Sequence, residues 1–281
     1  MLTDFFPGPI DYLVIGHLTA DLTLEGPALG GTASYAALTA QALGLRVGIV
    51  TAVGGEVSLE PLAELPVAGI RAEQSTTYEN IQTQAGRMQI VHYIAPPLAL
   101  HMVPPAWKEA PIVHLGPVAN EIDLSFLRAF QQNQLVLTPQ GWLRGFERTG
   151  KVYAAEWPEA AFVLQKARAT VISLEDIEGD ESRLEEMAAA CHVLVVTEAA
   201  NGARLYWNGD IYHEPAPEMD AVSTVGAGDI FAAAFFTHLH ATHDPLSALH
   251  FATHLASLSV TREGLASIPT PEEIQACLMS V

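Results

Sequence analysis

A glycine-rich turn followed by an acid and an apolar run stands out near the C-terminal third of the chain. The string is Val225-Gly226-Ala227-Gly228-Asp229, and residues 230–236 continue as IFAAAFF. Glycines let successive backbone N–H groups point toward one place, and a helix N-terminus attracts anions. The three central residues therefore predict a phosphate cradle, and Asp229 is the candidate general base for an attacking hydroxyl. Taken alone, the string also fits an ordinary helix start.

The elements that must position this string follow from short apolar runs that alternate with amphipathic segments. The apolar runs are 11–16, 46–51, 112–116, 134–138, 170–174 and 192–197. Amphipathic segments at 156–168 and 181–190 separate the last three of these runs. Strands that alternate with helices predict an α/β fold, with a mostly parallel sheet covered by helices on both faces. We expect one domain over residues 1–281.

One stretch departs from this alternation. Residues 76–95 read TTYENIQTQAGRMQIVHYIA, which alternates polar and apolar residues around a turn signal at Ala85-Gly86. This pattern predicts a β-hairpin. The hairpin could extend an edge of the main sheet or form a small β lid over a site.

Composition limits the partners and the location of the protein. The formal net charge is −19, from 32 acidic and 13 basic residues, and Lys108, Lys151 and Lys166 are the only lysines. Such a surface argues against nucleic acid as a partner. No apolar run approaches the ~20 residues that span a bilayer, and the N-terminus is not signal-like. Cys191 and Cys277 form no spaced motif, so we expect a cytoplasmic protein.

Several familiar site patterns are missing. A Walker-type phosphate loop needs Gly-Lys-Ser/Thr, and none of the lysines has this context. The Gly30-Gly31 pair lies too far beyond the first apolar run for a dinucleotide fingerprint. His238 and His240 are two positions apart on a predicted helix and face different directions, so no zinc site is expected.

An ordered set of motifs resembles the ribokinase-like (PfkB) carbohydrate kinase family. The motifs are Asp21 after the first strand, Gly30-Gly31-Thr32-Ala33-Ser34, Ser173-Leu174-Glu175-Asp176, Thr197 with Gly202, and Val225–Asp229. They extend over almost the whole chain in the family's order. The resemblance implies a three-layer αβα fold with a small β lid. It also implies transfer of the terminal phosphoryl group of ATP to an alcohol with Mg²⁺.

The resemblance also assigns roles to individual residues. Asp229 would be the base, and the amides of Gly226, Ala227 and Gly228 would hold the transferring phosphoryl group. Asp21, Gly30, Gly31 and Ser34 would contact the acceptor substrate. Ser173, Thr197, Gly202 and His254 would lie on the nucleotide side, and Asp176 would reach Mg²⁺ through water. His254, in a predicted helix over 248–260, also fits a half-buried helix residue.

Three positions depart from the family pattern. Ser34 replaces an Asn, and the central N-x-x-E motif is Ser173-x-x-Asp176, which keeps oxygen donors on shorter side chains. Ser223 stands where relatives carry an acid six residues before the base. Because this region helps to hold a monovalent cation in many relatives, the substitution leaves such an ion unsupported.

Segments in the middle of the chain are similar to a subgroup that includes myo-inositol kinases. They contribute Asn80, Arg87, Gln140 and Arg144, which offer amides and guanidinium groups to a polyhydroxylated or anionic ligand. Each of these residues also fits a polar surface or lid position.

We therefore expect a small-molecule kinase whose acceptor is a sugar, cyclitol or nucleoside. The alternatives are a non-catalytic sugar- or nucleotide-binding regulatory relative and a kinase that uses pyrophosphate or ADP as donor. An exposed face of the hairpin could also make a homodimer contact.

Overall fold

The computed structural model describes residue 2, residues 8–83 and residues 86–280. The strands in this part of the chain are β1 (Tyr12–Ile15), β2 (Thr19–Thr23), β3 (Gly26–Gly30), β4 (Val47–Val53), β5 (Val67–Arg71), β6 (Thr76–Thr83), β7 (Gly86–Tyr93), β8 (Ile112–Leu115), β9 (Gln134–Leu137), β10 (Arg144–Phe146), β11 (Val152–Ala154), β12 (Ala169–Ser173), β13 (Val193–Thr197), β14 (Ala203–Trp207) and β15 (Asp210–Glu214). The helices are α1 (Thr32–Ala42), α2 (Ser125–Ala129), α3 (Ala160–Leu164), α4 (Glu181–Ala190), α5 (Ala227–Thr242), α6 (Pro245–Ser259) and α7 (Pro271–Ser280).

Within the described residues, the central sheet has the strand order β15-β14-β13-β12-β9-β8-β1-β4-β5. The strands from β13 to β5 run parallel, and β14 and β15 add an antiparallel hairpin at one edge. Parallel strands require crossover connections, and the helices supply them. The sheet confirms the predicted mostly parallel architecture.

Two apolar layers cover this sheet. Helices α1, α5, α6 and α7 pack on one face, and α2, α3 and α4 pack on the other. Successive residues of a strand serve opposite layers: Val193 and Val195 belong to the first core, whereas Leu194 and Val196 belong to the second. Because side chains of a strand alternate between faces, a continuous apolar run is what a strand buried on both faces requires. The three-layer αβα fold is therefore confirmed.

The hairpin predicted at 76–95 consists of β6 and β7, which pair antiparallel. It does not extend the central sheet but belongs to a separate four-stranded sheet in the order β3-β2-β6-β7. Strands β2 and β3 lie between the first apolar run and α1, where the Gly- and Leu-containing sequence lacks the strict alternation that marks a strand. Ala85, in the predicted turn, lies outside the described residues.

A buried hydrogen-bonded chain ties the base of this hairpin to the end of β1. The carbonyl of Pro96 can only accept a hydrogen bond, so His17 donates to it from Nε2 (3.0 Å). In the neutral ring, Nδ1 then accepts from the hydroxyl of Thr76 (2.7 Å). The Thr76 oxygen also accepts the N–H of Ala95 (3.0 Å). Both ends of the hairpin are thus attached to the same ring.

The remaining element predictions hold with one shorter helix. Helix α4 has the predicted bounds, but the segment predicted as a helix over 156–168 is helical only over α3. Among the helices of the described part, none is long and apolar enough to cross a membrane.

Candidate active site

The predicted catalytic residues lie at the carboxyl ends of the parallel strands. Strand β1 has β4 on one side and β8 on the other, so the chain reverses its direction of travel across the sheet at this point. Such a reversal opens a crevice outside the strand ends. Gly16 and Gly116 follow β1 and β8 there, and a Cβ on Gly16 would lie 2.3 Å from the carbonyl oxygen of Gly116.

Helix α5 begins at this crevice with Gly226 in a left-handed conformation (φ 81°). A Cβ at Gly226 would lie 2.3 to 2.6 Å from ring atoms of Tyr35 on α1, so only glycine fits. The next residues open toward space: a Cβ at Gly228 would meet no atom within 4 Å. The N–H of Ala227 already donates to the carbonyl of Thr224 at 3.3 Å, so this predicted cradle amide is partly engaged.

Asp229 lies in the first turn of α5 and is held by the N-terminus of α1. The Thr32 hydroxyl donates to Oδ1 of Asp229 at 2.7 Å, across 197 residues of sequence. Two helix N-termini therefore meet at one carboxylate, and both present the positive end of a helix dipole to the crevice. This arrangement favours negative charge beside Asp229.

The electrostatics of Asp229 suit a proton acceptor. Burial raises its pKa to about 6, and the negative charges of Asp176 and Asp21 add to the rise. The hydrogen bond from Thr32 and the positive charge of Arg144 lower the pKa and so oppose the rise. The charges of three other predicted site residues, Arg144, Asp176 and Asp21, therefore act on Asp229. A carboxyl group with a pKa near neutrality can both hold and release a proton at physiological pH.

Asp21 lies on β2 beside the glycine pair that precedes α1. The Thr19 hydroxyl donates to its Oδ1 at 2.9 Å. A Cβ at Gly30 would lie 2.3 Å from Oδ2 of Asp21, so the absence of a side chain at residue 30 makes room for the carboxylate. Gly31 then supplies the N-cap of α1 with φ 86°.

Arg144 is placed by the loop that follows β8. Its guanidinium donates to the carbonyl of Val118 (3.2 Å) and lies over the ring of Tyr78, 5.4 Å from the centroid. The Tyr78 hydroxyl donates to the same carbonyl at 2.6 Å. Arg144 is half-buried, and its charge acts on the Asp229 carboxylate.

On the other side of the cleft, Asp176 and Ser173 form a capping box, in which each side chain accepts a hydrogen bond from a backbone N–H of the same turn. The Ser173 N–H donates to Oδ2 of Asp176 at 3.0 Å, and the Ser173 hydroxyl accepts the N–H of Glu175 at 3.2 Å. Gln140 donates its side-chain amide to Oδ1 of Asp176 at 3.2 Å. Each carboxylate oxygen keeps a second lone pair, and magnesium retains several waters, so Asp176 fits a water-mediated contact to Mg²⁺.

The other three residues predicted for the nucleotide side, besides Ser173, lie on β13, before β14 and on α6. Thr197, at the end of β13, donates to the carbonyl of Ile172 at 3.4 Å. Gly202 packs against the end of β15, where a Cβ would lie 2.0 Å from the carbonyl oxygen of Glu214, so its contact is with backbone. His254 lies on α6 beside His250, with ring centroids 4.1 Å apart and the ring planes tilted by 38°.

His254 also lines a cavity of about 290 Å³ between α6 and α7. The lining is mostly apolar and consists of Pro217, Met219, His254, Ser257, Leu258, Ala276 and Cys277. An apolar slot with a few polar groups suits a flat heterocycle such as a purine base. The residues present therefore fit a nucleotide whose base occupies this cavity.

Two predicted substrate residues, Ser34 and Asn80, hydrogen-bond within their own turn or hairpin. Ser34 is fully buried and donates to the carbonyl of Gly31 at 2.9 Å, so it supports the glycine turn. Asn80 lies on β6 and accepts from Gln89 of β7 at 3.0 Å. Arg87 lies on β7, and its side chain is outside the described part of the structure.

Three residues that organise this site were not predicted from the sequence. Glu121 is buried and accepts from the backbone N–H groups of His17 (2.9 Å), Val118 (3.0 Å) and Ala119 (2.7 Å). This carboxylate therefore fixes the loops that follow β1 and β8. Thr32 was part of the glycine motif and Tyr35 directly follows it, but only the folded contact between α1 and α5 shows what they touch.

The sequence and the fold are similar to those of known kinases. Residues 155–273 match the sequence model described as pfkB family carbohydrate kinase. Over this C-terminal part the chain is similar to the pfkB carbohydrate kinases.

Curated relatives agree with this family. A 2-dehydro-3-deoxygalactonokinase of Haloferax volcanii is 30% identical over 119 residues, which are 41% of this chain and 37% of the relative. A ribokinase of Bacillus subtilis is 37% identical over 86 residues, which are 30% of this chain and 29% of the relative. The matches thus span about a third of these relatives' lengths.

Solved structures resemble the whole chain. A pyrophosphate-dependent kinase of the ribokinase family, complexed with a pyrophosphate analogue and myo-inositol, superposes with a TM-score of 0.79 at 18% identity, over 94% of this chain and 99% of its own. Ribokinase of Thermotoga maritima gives a TM-score of 0.73 at 20% identity, over 96% and 99%. These likenesses establish the ribokinase fold over nearly the full length.

Proposed function

We propose that this protein transfers the terminal phosphoryl group of ATP to a hydroxyl of a sugar, cyclitol or nucleoside. The observation that carries the proposal is the half-buried Asp229 carboxylate, which Thr32 fixes at the meeting point of two helix N-termini. The family match over residues 155–273 supports the same reaction.

Each residue at the cleft has a part in this reaction. Thr32 occupies Oδ1 of Asp229, which leaves Oδ2 to accept the proton of the attacking hydroxyl. Asp21 would accept hydrogen bonds from other hydroxyls of the acceptor and so orient it. Arg144 would offset the negative charge that collects around the transferring group. Bound ATP supplies the phosphoryl group, and Mg²⁺ lowers the repulsion between its charges.

The backbone at the start of α5 would bind the transferring phosphoryl group. Gly228 borders open space, and its N–H lies in the first turn, where helices leave N–H groups without internal partners. One preorganised donor of this kind contributes about 3 kcal/mol to transition-state stabilisation. Asp176 would hold Mg²⁺ through water on the opposite side.

The decisive experiment is a matrix of acceptors and donors. Sugars, cyclitols and nucleosides are each incubated with ATP, GTP, ADP or pyrophosphate and Mg²⁺, and the phosphorylated product is detected by mass spectrometry. We expect product with a nucleoside triphosphate and a loss of about 10³-fold in kcat for Asp229→Asn, since a general base contributes ~10²–10⁴-fold. Asp210→Asn, on the exposed start of β15, is the matched control.

Two outcomes would contradict the proposal. If pyrophosphate is the only donor that gives product, the phosphoryl donor is not a nucleotide. The apolar cavity beside His254 would then bind no purine base. No product with any acceptor, together with measurable binding of a sugar or nucleotide, would favour the non-catalytic alternative.

The four-stranded sheet is the proposed lid and dimer contact. Leu22 and Leu24, at the end of β2 and the following turn, are 39% and 108% exposed. Exposed apolar side chains on such a sheet suit contact with a second copy. Light scattering of the parent and Leu24→Asp chains tests the dimer, which would be contradicted by a monomeric parent mass.

A further inference from the structure

Glu214, His250 and His254 form a cluster at the edge of the central sheet. Glu214 ends β15, and the two histidines lie one turn apart on α6, which packs against this strand. Nδ1 of His250 lies 2.8 Å from Oε1 of Glu214, and Nε2 of His254 lies 3.5 Å from the same oxygen. One potential ligand atom from each residue falls within 4.8 Å of the other two.

The spacing of these atoms suits a tetrahedral metal ion. Residues four positions apart share one face of a helix, so both imidazoles point at β15. Ligand atoms about 2.0–2.2 Å from a tetrahedral ion lie roughly 3.3 Å from one another. The contact between His254 and Glu214 is close to this distance, and that between His250 and Glu214 needs to widen by about half an ångström.

One ring nitrogen of the cluster lacks a partner in the part of the chain that the structure describes. Nε2 of His250 is buried and has no hydrogen-bond partner among the described residues. A metal bound at Nδ1 requires the neutral tautomer that carries its proton on Nε2.

We propose that Glu214, His250 and His254 bind a divalent transition-metal ion of the zinc class. Two imidazoles and a carboxylate select such an ion over magnesium, which prefers oxygen ligands. Three protein ligands leave one position for water or another ligand. The sequence analysis expected no zinc site because it considered His238 and His240, whereas the pair spaced for a helix face is His250 and His254.

The location of this site gives it a consequence for the nucleotide. His254 also lines the apolar cavity between α6 and α7. Coordination would fix its ring against Glu214 and so change the wall of that cavity. This coupling rests on the proposed function, whereas metal binding itself does not.

The test is a titration of the metal-free protein with Zn²⁺ by calorimetry and with Co²⁺ by visible absorption. We expect one equivalent to bind at this cluster, with cobalt d–d bands of a four-coordinate ion. His250→Ala, His254→Ala and Glu214→Gln should each weaken binding at least about ten-fold. Circular dichroism checks that each variant is folded, and Glu214→Gln keeps the shape of the side chain.

A second histidine–glutamate pair offers a matched control. His92 and Glu79 lie 2.8 Å apart on β7 and β6, are exposed, and belong to no three-residue cluster found among the described residues. His92→Ala should leave the affinity unchanged. Equal affinity in parent and cluster variants would overturn the proposal, as would a thiolate-to-cobalt charge-transfer band, which would place the ion on a cysteine.

The coupling has its own readout. Zn²⁺ should raise the apparent KM for the nucleotide in the parent and not in Glu214→Gln. An unchanged KM in the parent would overturn the coupling. If the parent phosphorylates no acceptor, the proposed function fails, and the calorimetric titration still decides the metal site.

Discussion

The two sides of the cleft are built in different ways. On the side of Asp21 and Arg144, side chains are held by segments distant in sequence, as in the bond from Thr32 to Asp229 across 197 residues. On the side of Ser173 and Asp176, the polar atoms mostly satisfy each other within three residues. The first side is fixed by tertiary packing and suits a rigid acceptor pocket. The second is a local capping turn with spare lone pairs, which suits a hydrated ion.

The largest effect that this comparison predicts is at Gly226, where α5 meets α1. Gly226→Ala would force a Cβ into a left-handed conformation and against the Tyr35 ring at 2.3 Å. We expect the free energy of unfolding to fall by about 2–4 kcal/mol. Movement of Asp229 away from Thr32 should lower kcat about 10²-fold. Chemical denaturation and steady-state kinetics measure both.

Gly228→Ala is the matched control for stability. Its backbone needs no left-handed conformation, and a Cβ there meets no atom within 4 Å. Alanine in a helix should leave the stability unchanged or slightly raise it. If the two alanine variants unfold alike, Gly226 does not couple the two helices.

The next effect concerns the acceptor. Asp21→Asn keeps the shape of the side chain but removes the charge that would bind the acceptor hydroxyls. Losing a hydrogen bond to a charged group costs about 1.5–3 kcal/mol, so the KM of the acceptor should rise roughly ten- to a hundred-fold. The KM of the donor should not change. Glu25→Gln, in the exposed turn of the same hairpin, is the control. A parallel rise in both KM values would contradict an acceptor-side role.

The pH profile tests Asp229 without a mutation. The base must be ionised, and burial raises its pKa to about 6. The rate should therefore fall about ten-fold per unit as the pH drops below 6. A rate that stays constant down to pH 5 would contradict the role of Asp229.

The same pKa has an opposite effect on stability. Between pH 3.8, the ordinary pKa of an aspartate, and about pH 6, the raised pKa of Asp229, the folded state holds the proton whereas the unfolded state has lost it. Stability due to this group therefore falls as the pH rises through that window. Asp229→Asn should remove this pH-dependent loss of stability, although it lowers activity. Chemical denaturation of parent and variant at pH 4 and pH 7 measures the difference in the free energy of unfolding.

The sequence predicted the fold well because its signals are local. Apolar runs mark strands buried on both faces, the predicted amphipathic segment at 181–190 is α4, and α5 begins in the glycine string. It also indicated Asp229, because the glycine string and the acid are contiguous. It missed Glu121, Thr32 and Tyr35 as site residues, since their roles depend on contacts between distant segments. The cluster at Glu214 was missed for the same reason: no local pattern joins β15 to α6.

The smallest effect is expected at Asp176, on the locally capped side. Asp176→Asn keeps an oxygen acceptor but removes the charge that would hold hydrated Mg²⁺. We expect the Mg²⁺ concentration for half-maximal rate to rise several-fold, as a surface-screened charge contributes about 1 kcal/mol. The rate at saturating Mg²⁺ should stay close to that of the parent. Asp180→Asn, which alters the cap of α4 four residues away, is the control. If the parent and Asp176→Asn give the same Mg²⁺ titration, this turn caps a helix and binds no ion. The two sides of the cleft would then differ in function as well as in construction.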